Sequence, residues 1–166
     1  MSGRIVAFPP VARHDARILI LGSMPSVASL QEGFYYGHPR NAFWRILAES
    51  FDCPIPDSVG EKKQLILTHR LALWDALSAC EREGSLDSAI RRPELNDFAG
   101  LFERCPGIRL VLFNGGMAHR LFMKGGAPFL EGRVWRVLPS TSPAYTMPYE
   151  KKLAQWRQAV EEIYES

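Results

Sequence analysis

Residues 33–44, with the sequence GFYYGHPRNAFW, place aromatic and polar side chains just before a segment with helical spacing. Two of these residues could do chemistry. The amide oxygen of Asn41 can accept a hydrogen bond from a water molecule and hold it in line with a reacting carbon, although an amide is not a general base. The ring of Tyr36 offers a flat face for a planar ligand. The structural alternatives are that Asn41 bonds to nearby backbone groups and that Tyr36 packs in the core.

Two further candidates follow apolar runs. The loop GSMPS, residues 22–26, comes after RILIL, and Asp75 ends LALWD. Backbone N–H groups in such a loop can stabilise negative charge on a leaving group, and a carboxylate on a crevice floor can accept an N–H from a bound ring. An ordinary turn and a solvated turn cap are the structural alternatives. The loop lacks the G-x-x-x-x-G-K-[ST] spacing, so nucleotide hydrolysis is unsupported.

The last two polar segments are FNGG, which contains Asn114, and PSTSPAYT, residues 139–146. Small hydroxyls and backbone N–H groups can grip phosphates, and a proline-stiffened loop can press into a nucleic-acid groove. A generic turn is the alternative. The candidate phosphate or groove contacts are Arg40, Ser140, Thr141, Ser142, Pro143 and Ala144. Arg120 and Arg133 could add phosphate contacts. The alternative is that both are ordinary solvent-exposed side chains.

Strands and helices alternate along the chain. Apolar runs predict strands at residues 17–21, 71–75, 109–113 and 133–138, and helices are expected over about 39–51, 57–70, 96–105, shortly after 116, and 148–164. This order predicts a three-layer α/β/α fold with a central, mostly parallel four-stranded sheet. Ligands bind beyond the carboxyl ends of such strands. The four polar segments are therefore expected to converge on one crevice.

The bulk composition limits the remaining possibilities. We expect one domain over residues 1–166, with an irregular lead-in through residue 16. A net charge of +2 does not by itself indicate a nucleic-acid partner. The chain lacks an apolar leader and any long uncharged stretch, which favours a soluble cytoplasmic protein without membrane contact. Three widely spaced cysteines and scattered histidines form no metal or triad pattern. We predict no metal and no cofactor.

Several of these segments resemble one known family. LILGSMPS resembles the first motif of the uracil-DNA glycosylase superfamily, and VLPSTSPAYT resembles the second. Within that superfamily, the order of GSMPS, YYGHPRNAFW, ALWDALSACEREGSLDSAI, LFNG and LPSTSPA is similar to the hypoxanthine-DNA glycosylase group, also called family six. The resemblance covers about residues 6–150, and the combined pattern is specific although each piece alone is weak.

The resemblance implies roles for particular residues. Asn41 matches the asparagine that is catalytic in the hypoxanthine group, and the implied base-binding residues are Gly22, Ser23, Met24, Pro25, Tyr36, Asp75 and Asn114. Asp75 falls where uracil enzymes keep an asparagine, and a carboxylate, which only accepts, fits the N1–H of hypoxanthine.

The chain also departs from the wider superfamily at three points. Met24 occupies the place of the water-positioning asparagine of the mismatch-specific branch. The second motif has no histidine of the kind found in the ordinary uracil enzymes. Tyr145 stands where an asparagine is expected after SPA, so the match of the groove loop is incomplete at that position.

The resemblance therefore implies a monofunctional DNA glycosylase in base excision repair. It would act on DNA that contains deaminated bases, favour hypoxanthine, and work as a monomer in the cytoplasm at the nucleoid. No candidate amine nucleophile is present at the site, so no lyase step is expected. The alternatives are a uracil-DNA glycosylase of broad or mismatch-specific type, a catalytically silent DNA-binding module, and an enzyme acting on free nucleosides.

Overall fold

The computed structural model describes residues 3–164, which form seven strands and six α-helices. In chain order these are β1 (Arg4–Val6), β2 (Ile18–Gly22), α1 (Val27–Glu32), α2 (Phe43–Ser50), α3 (Val59–Thr68), β3 (Leu71–Asp75), β4 (Leu77–Glu81), β5 (Arg91–Leu95), α4 (Phe98–Arg104), β6 (Leu110–Asn114), α5 (Gly116–Met123), β7 (Val134–Leu138) and α6 (Tyr149–Tyr164). Short 3₁₀ turns cover Asp87–Ala89 and Ala127–Leu130. No helix within residues 3–164 combines the length and apolar character needed to cross a bilayer.

The central sheet has four strands in the order β3-β2-β6-β7, and every neighbouring pair is parallel. All residues of β2 and β3 are buried, as expected for strands covered on both faces. The four predicted apolar runs are these four strands, with ends that differ by one residue at most. The predicted fold class is confirmed.

Adjacent residues of β7 show that helices cover both faces of the sheet. The ring of Trp135 stacks on His119 of α5, with centroids 4.8 Å apart. The neighbouring Arg136 points to the opposite face, where its Nη2 lies 3.3 Å from Glu162 of α6. Helix α2 packs on α6 through Phe43 and Trp156, whose rings meet edge to face at 6.1 Å. Together these contacts give the three layers.

A second, three-stranded antiparallel sheet was not predicted. Its order is β1-β4-β5. The prediction of an irregular lead-in through residue 16 is wrong at Arg4–Val6, because this segment pairs with β4; residues 1 and 2, and 165 and 166 at the other end, lie outside the described range. Strand β5 contains Pro93, which is tolerated because β5 lies at the sheet edge. Because of this proline and its charged neighbours, the sequence of β5 does not show the apolar pattern by which a strand is recognised.

Helix α2 starts later than predicted. A start at Pro39 was expected, but the chain turns through residues 38–42 and the helix begins at Phe43. The side chain of Asn41 accepts a hydrogen bond from the backbone N–H of Phe43 at 3.0 Å, and the Asn41 N–H donates to the His38 carbonyl. These local bonds replace the first helical turn. The side chain of Ser58 caps α3, and the side chain of Asp97 caps α4.

Candidate active site

A cavity of about 370 Å³ opens at the carboxyl ends of the parallel strands. This volume lies within the roughly 300–1,000 Å³ range of small-molecule sites. Twelve of the predicted site residues line it: Gly22, Ser23, Met24, Pro25, Tyr36, Asn41, Asp75, Asn114, Ser140, Thr141, Ser142 and Ala144. The four polar segments of the sequence therefore meet in one place.

The other two predicted residues, Arg40 and Pro143, line an adjoining groove of about 690 Å³. The groove shares Asn41, Thr141 and Tyr145 with the cavity, so the two spaces are continuous. Arg40 and Pro143 are exposed to solvent. The groove is thus positioned to contact parts of a large ligand that extend beyond the cavity.

The cavity floor is formed where β2 and β3 end side by side. Gly22 pairs with Asp75 in the parallel ladder. A Cβ atom on Gly22 would lie 2.6 Å from Asp75 Oδ1 and 2.7 Å from the Tyr36 hydroxyl oxygen, so only glycine fits here. Asp75 is 3% exposed, and neither its Oδ2 nor the Tyr36 hydroxyl has a hydrogen-bond partner among the described residues. Both residues line the cavity, and leaving such buried polar atoms unsatisfied is costly without a ligand or water.

The Asp75 carboxyl has an unusual acidity. Its pKa is raised to about 7, mainly by burial and further by the negative charge of Asp87, while the positive charge of Arg82 opposes the shift. Near neutral pH the group is therefore present in both protonation states. When it is ionised it can only accept hydrogen bonds.

Tyr36 is held in a left-handed backbone conformation, with φ of +54°. Its ring stacks on Phe43, with centroids 4.0 Å apart and planes 22° apart. Burial raises the pKa of the Tyr36 hydroxyl well above its ordinary value, so the group stays neutral and can donate a hydrogen bond. An uncommon conformation in a non-glycine residue at a cavity wall is frequent at functional sites. The stacking role predicted for Tyr36 is limited to the ring face that Phe43 leaves uncovered.

Asn41 is half-buried at the cavity rim. One lone pair of its Oδ1 accepts a hydrogen bond from the Phe43 N–H. Asn41 therefore does bond to a nearby backbone group, which was the structural alternative for this residue. The oxygen has a second lone pair, and no side-chain donor bond of Asn41 is found among residues 3–164. The next residue ties this turn to the 139–146 segment, because the Ala42 N–H donates to the Thr141 carbonyl at 3.0 Å. The Asn41 amide thus retains hydrogen-bonding capacity toward the cavity.

The GSMPS loop also has backbone N–H groups that could donate hydrogen bonds to a ligand. Within the described part of the chain, the backbone N–H groups of Ser23 and Met24 have no acceptor. The loop is fixed from behind, since the Ala76 N–H donates to the Gly22 carbonyl and the Leu77 N–H donates to the Ser23 carbonyl. A rigid loop with unused donors at a cavity wall can stabilise negative charge.

The 139–146 segment is anchored and not a loose turn. Asn114 donates to the Thr141 hydroxyl and accepts from the Thr141 N–H, both at 2.9 Å. Two α6 side chains hold the backbone on either side, with Lys152 donating to the Ser142 carbonyl at 3.1 Å and Trp156 to the Pro139 carbonyl at 2.9 Å. Residues 143–146 remain exposed. This arrangement presents a fixed, solvent-facing tip beside the cavity.

Part of the cavity wall was missed by sequence reasoning. The connection between β4 and β5 contributes Ser85, Leu86, Asp87 and Ser88. These residues have no strand or helix periodicity, and a sheet that was not itself predicted carries them to the site. The buried Arg82 belongs to the same connection. Arg82 lies in the segment ALWDALSACEREGSLDSAI that carries part of the resemblance, but the sequence analysis gives it no role.

Two arginines named as possible phosphate contacts, Arg120 and Arg133, line neither the cavity nor the adjoining groove. Arg133 donates to the backbone carbonyls of Ile108 and Phe129 and lies 3.9 Å over the ring of Phe102, so its side chain has a structural role. Arg120 is exposed on α5 but does not line the cavity. No group of three or more His, Cys, Asp or Glu side chains within residues 3–164 is arranged to hold a metal ion.

Comparisons with known proteins agree with this geometry. The model of the uracil DNA glycosylase superfamily matches residues 9–164. A protein of Methanosarcina acetivorans named hypoxanthine DNA glycosylase is 41% identical over 152 residues, which cover 90% of this chain and 93% of that protein. Its namesake in Methanosarcina barkeri is 35% identical over 158 residues, covering 92% and 95%.

A solved structure is similar as well. A solution NMR structure from Methanosarcina acetivorans, described as a candidate uracil DNA glycosylase, superimposes with a TM-score of 0.82 at 36% identity. The match covers 98% of this chain and 99% of that one. Family model, sequence relatives and fold thus point the same way, and the chain belongs to the uracil DNA glycosylase superfamily.

Proposed function

We propose that this protein is a monofunctional DNA glycosylase that hydrolyses the N-glycosidic bond of deaminated bases in DNA, with hypoxanthine favoured. One observation carries the proposal: Asp75 and Tyr36, whose buried Oδ2 and hydroxyl oxygen have no hydrogen-bond partner among the described residues, line one cavity together with Asn41. The two Methanosarcina relatives, both named hypoxanthine DNA glycosylases, support the same substrate.

Recognition of the base rests on its hydrogen-bonding edge. Hypoxanthine carries an N1–H donor beside the C6 carbonyl. Ionised Asp75 accepts from N1–H, and the neutral Tyr36 hydroxyl donates to the carbonyl. Adenine has a lone pair at N1, which would face the carboxylate and leave it unpaired. Leaving a buried polar group unpaired costs about 1–3 kcal/mol, and more for a charged one, so the undamaged base is disfavoured.

The base must leave the double helix before it can enter the cavity. Rotating a nucleotide out costs a few kcal/mol, and a mispaired deaminated base is easier to extrude. Arg40 and the 140–144 segment would hold the flanking backbone, because hydroxyls, backbone N–H groups and a guanidinium are the usual phosphate contacts. The exposed tip of that segment would lie against the groove.

Bond cleavage then proceeds without a covalent enzyme intermediate. The C1′–N9 bond breaks, its electron pair leaves with the base, and the sugar becomes an oxocarbenium-like cation. The free N–H groups of Ser23 and Met24 stabilise the departing anion. A water molecule held by the Asn41 amide adds to C1′ and loses its proton to solvent. The hypoxanthine anion takes up a proton from solvent, so the products are free hypoxanthine and an abasic site.

A lesion panel tests this proposal. Purified protein is incubated with labelled duplexes that carry deoxyinosine, deoxyuridine or no lesion, and with free deoxyinosine; alkali then cleaves any abasic site. We expect strand breaks at deoxyinosine that depend on alkali. Breaks without alkali would contradict the monofunctional chemistry, and activity only on free deoxyinosine would assign the chain to nucleoside metabolism.

Uracil removal is the second candidate. Uracil presents an N3–H between two carbonyls, which the Asp75 and Tyr36 pair could also bind. Met24 occupies a place where mismatch-specific uracil enzymes carry an asparagine, so we expect the deoxyuridine duplex to be cleaved more slowly. Lesion binding without any base release would instead indicate a silent DNA-binding module. Monomeric state and cytoplasmic location stay predictions.

A further inference from the structure

The connection between β4 and β5 is fastened to the GSMPS loop and the residue that follows it. The Ser23 hydroxyl donates to Asp87 Oδ1 at 2.7 Å. The Val27 N–H donates to the Ser85 hydroxyl at 2.9 Å, and Arg82 Nη2 donates to the Pro25 carbonyl. Three contacts therefore hold this connection against the loop that would stabilise the departing base. Asp87 itself takes no direct part in the proposed chemistry.

Arg82 places a buried positive charge in this connection. Arg82 is 4% exposed, and its Nε donates to the Gly84 carbonyl at 2.8 Å. Its Nη1 has no hydrogen-bond partner among the described residues. A buried charge without full pairing is unfavourable unless opposite charges lie near it. Asp75 and Asp87 are the carboxyl groups whose acidity Arg82 affects.

The charges around the two carboxyls do not balance. The charged groups that act on Asp75 are Asp87 and Arg82, and the groups that act on Asp87 are Ser23, Arg82 and Arg120. Arg120 is exposed and contributes through solvent. One buried cation therefore faces two carboxyl groups, and two like charges in one site do not ionise independently. Removing either carboxylate must ease ionisation of the other.

We propose, on the basis of the proposed function, that Asp87 is a positioning residue of the base site: its carboxylate, held by Ser23, decides whether Asp75 meets the base as an acceptor or as a donor. Ionised Asp75 accepts from the N1–H of hypoxanthine. Protonated Asp75 donates instead, and its O–H suits the N1 lone pair of adenine. Asp87 therefore adds to the larger effect of burial and shifts the pH range in which hypoxanthine is distinguished from the undamaged base.

The substitution Asp87→Asn tests the negative charge of Asp87 separately from its hydrogen bond to Ser23. The amide oxygen still accepts from the Ser23 hydroxyl, so the contact is kept while the negative charge is lost. Burial and the positive charge of Arg82 then act on Asp75, and its ionisation moves to lower pH. Glu83→Gln is the matched control, because Glu83 is exposed on the same connection and is not among the groups that act on Asp75.

The test is the pH dependence of single-turnover release of hypoxanthine from a deoxyinosine duplex. In the wild type the rate should rise through pH about 7. In Asp87→Asn the midpoint should fall by about one pH unit, the size expected for loss of a neighbouring like charge. Glu83→Gln should leave the midpoint in place. A merely structural role of Asp87 would lower the rate without moving the midpoint.

A second readout does not need turnover. The side-chain carboxyl carbon of Asp75 is titrated by NMR in the free protein, as wild type and as Asp87→Asn; Asp87→Ser replaces the amide variant if that variant does not fold. An unmoved titration would overturn the inference while leaving the proposed function standing. Absence of hypoxanthine release from the wild type at every pH would remove the proposed function, and the inference with it.

Discussion

Gly22 and Asp75 end neighbouring parallel strands so close together that a single methyl group on Gly22 would lie 2.6 Å from the Asp75 carboxylate oxygen. The same methyl group would lie 2.7 Å from the Tyr36 hydroxyl. Base recognition, as proposed, therefore depends on a missing side chain as much as on those present. Because Gly22 has no side chain, the Asp75 carboxyl and the Tyr36 hydroxyl can occupy the space beside it.

Substitution of Gly22 by alanine should disturb the floor directly. The added Cβ must displace Asp75 and Tyr36, at a cost of about 1–3 kcal/mol in the free energy of unfolding. Hypoxanthine release should fall sharply, because both base-contacting groups move. Gly60→Ala in α3 is the control: its nearest atom would be 3.9 Å away, and it should stabilise the helix by about 0.5–1 kcal/mol with full activity. Kinetics and thermal unfolding of both variants give the comparison.

Asn41 should be needed for hydrolysis and not for binding. We expect Asn41→Ala to lower the single-turnover rate by about 10²-fold, the size expected when a reacting group is no longer held in position. Affinity for a deoxyinosine duplex should persist. Because Asn41 also bonds to the Phe43 N–H, the Asn41→Ala substitution should lower the free energy of unfolding by about 1 kcal/mol.

Asn41→Asp keeps this capping bond and separates the two effects. Its thermal stability should match the wild type, and because its second carboxylate oxygen can still accept from the water, it should hydrolyse faster than Asn41→Ala. Undiminished turnover in Asn41→Ala would remove Asn41 from the mechanism.

Asp75 should make the protein less stable as pH rises. Its pKa is raised in the folded state from 3.8 to about 7, so the folded protein holds a proton that the unfolded chain releases. The associated stability is present in full below pH about 4 and is lost as pH rises through 7, by on the order of 4 kcal/mol.

In Asp75→Asn the decline in unfolding free energy between pH 5 and 8 should shrink, and the preference for hypoxanthine over other bases should change. Glu103→Gln, an exposed carboxyl on α4, should keep the wild-type decline. Denaturant unfolding at several pH values measures this decline in the free energy of unfolding. An equal decline in Asp75→Asn would show that Asp75 is not the titrating group.

Arg40 should contribute charge to DNA binding. Arg40→Gln is expected to weaken binding similarly for all duplexes and to reduce the slope of log affinity against log salt by about one. Arg17→Gln is the matched control, since Arg17 is exposed beside the opposite end of β2 from Gly22. Equal salt slopes for both variants would place the DNA away from the groove.

The central sheet could be read from the sequence because its strands are short, wholly buried in the case of β2 and β3, and apolar. The residues at the carboxyl ends of the strands follow from topology, so the sequence alone predicts that Gly22, Asp75 and Asn114 meet at one edge of the sheet. Local hydrogen bonding was harder to foresee. Pro39 suits a first helical turn, but the Asn41 side chain accepts from the Phe43 N–H and the helix begins only at Phe43.

Long-range contributions were not predictable in the same way. Strand β5 contains a proline and exposed charges, and its pairing with β4 is fixed by tertiary packing. That pairing brings Asp87 to Ser23, 64 residues earlier in the chain. The acidity of Asp75 likewise depends on burial and on Arg82, neither of which has a local signature.

A crystal structure of Asn41→Ala bound to a duplex that contains deoxyinosine would test the central claim most directly. The account predicts the hypoxanthine outside the helix and inside the cavity, with N1 within hydrogen-bond distance of Asp75 and C1′ beside residue 41. A complex in which the base remains stacked in the duplex, or in which the DNA lies away from the GSMPS loop, would contradict it.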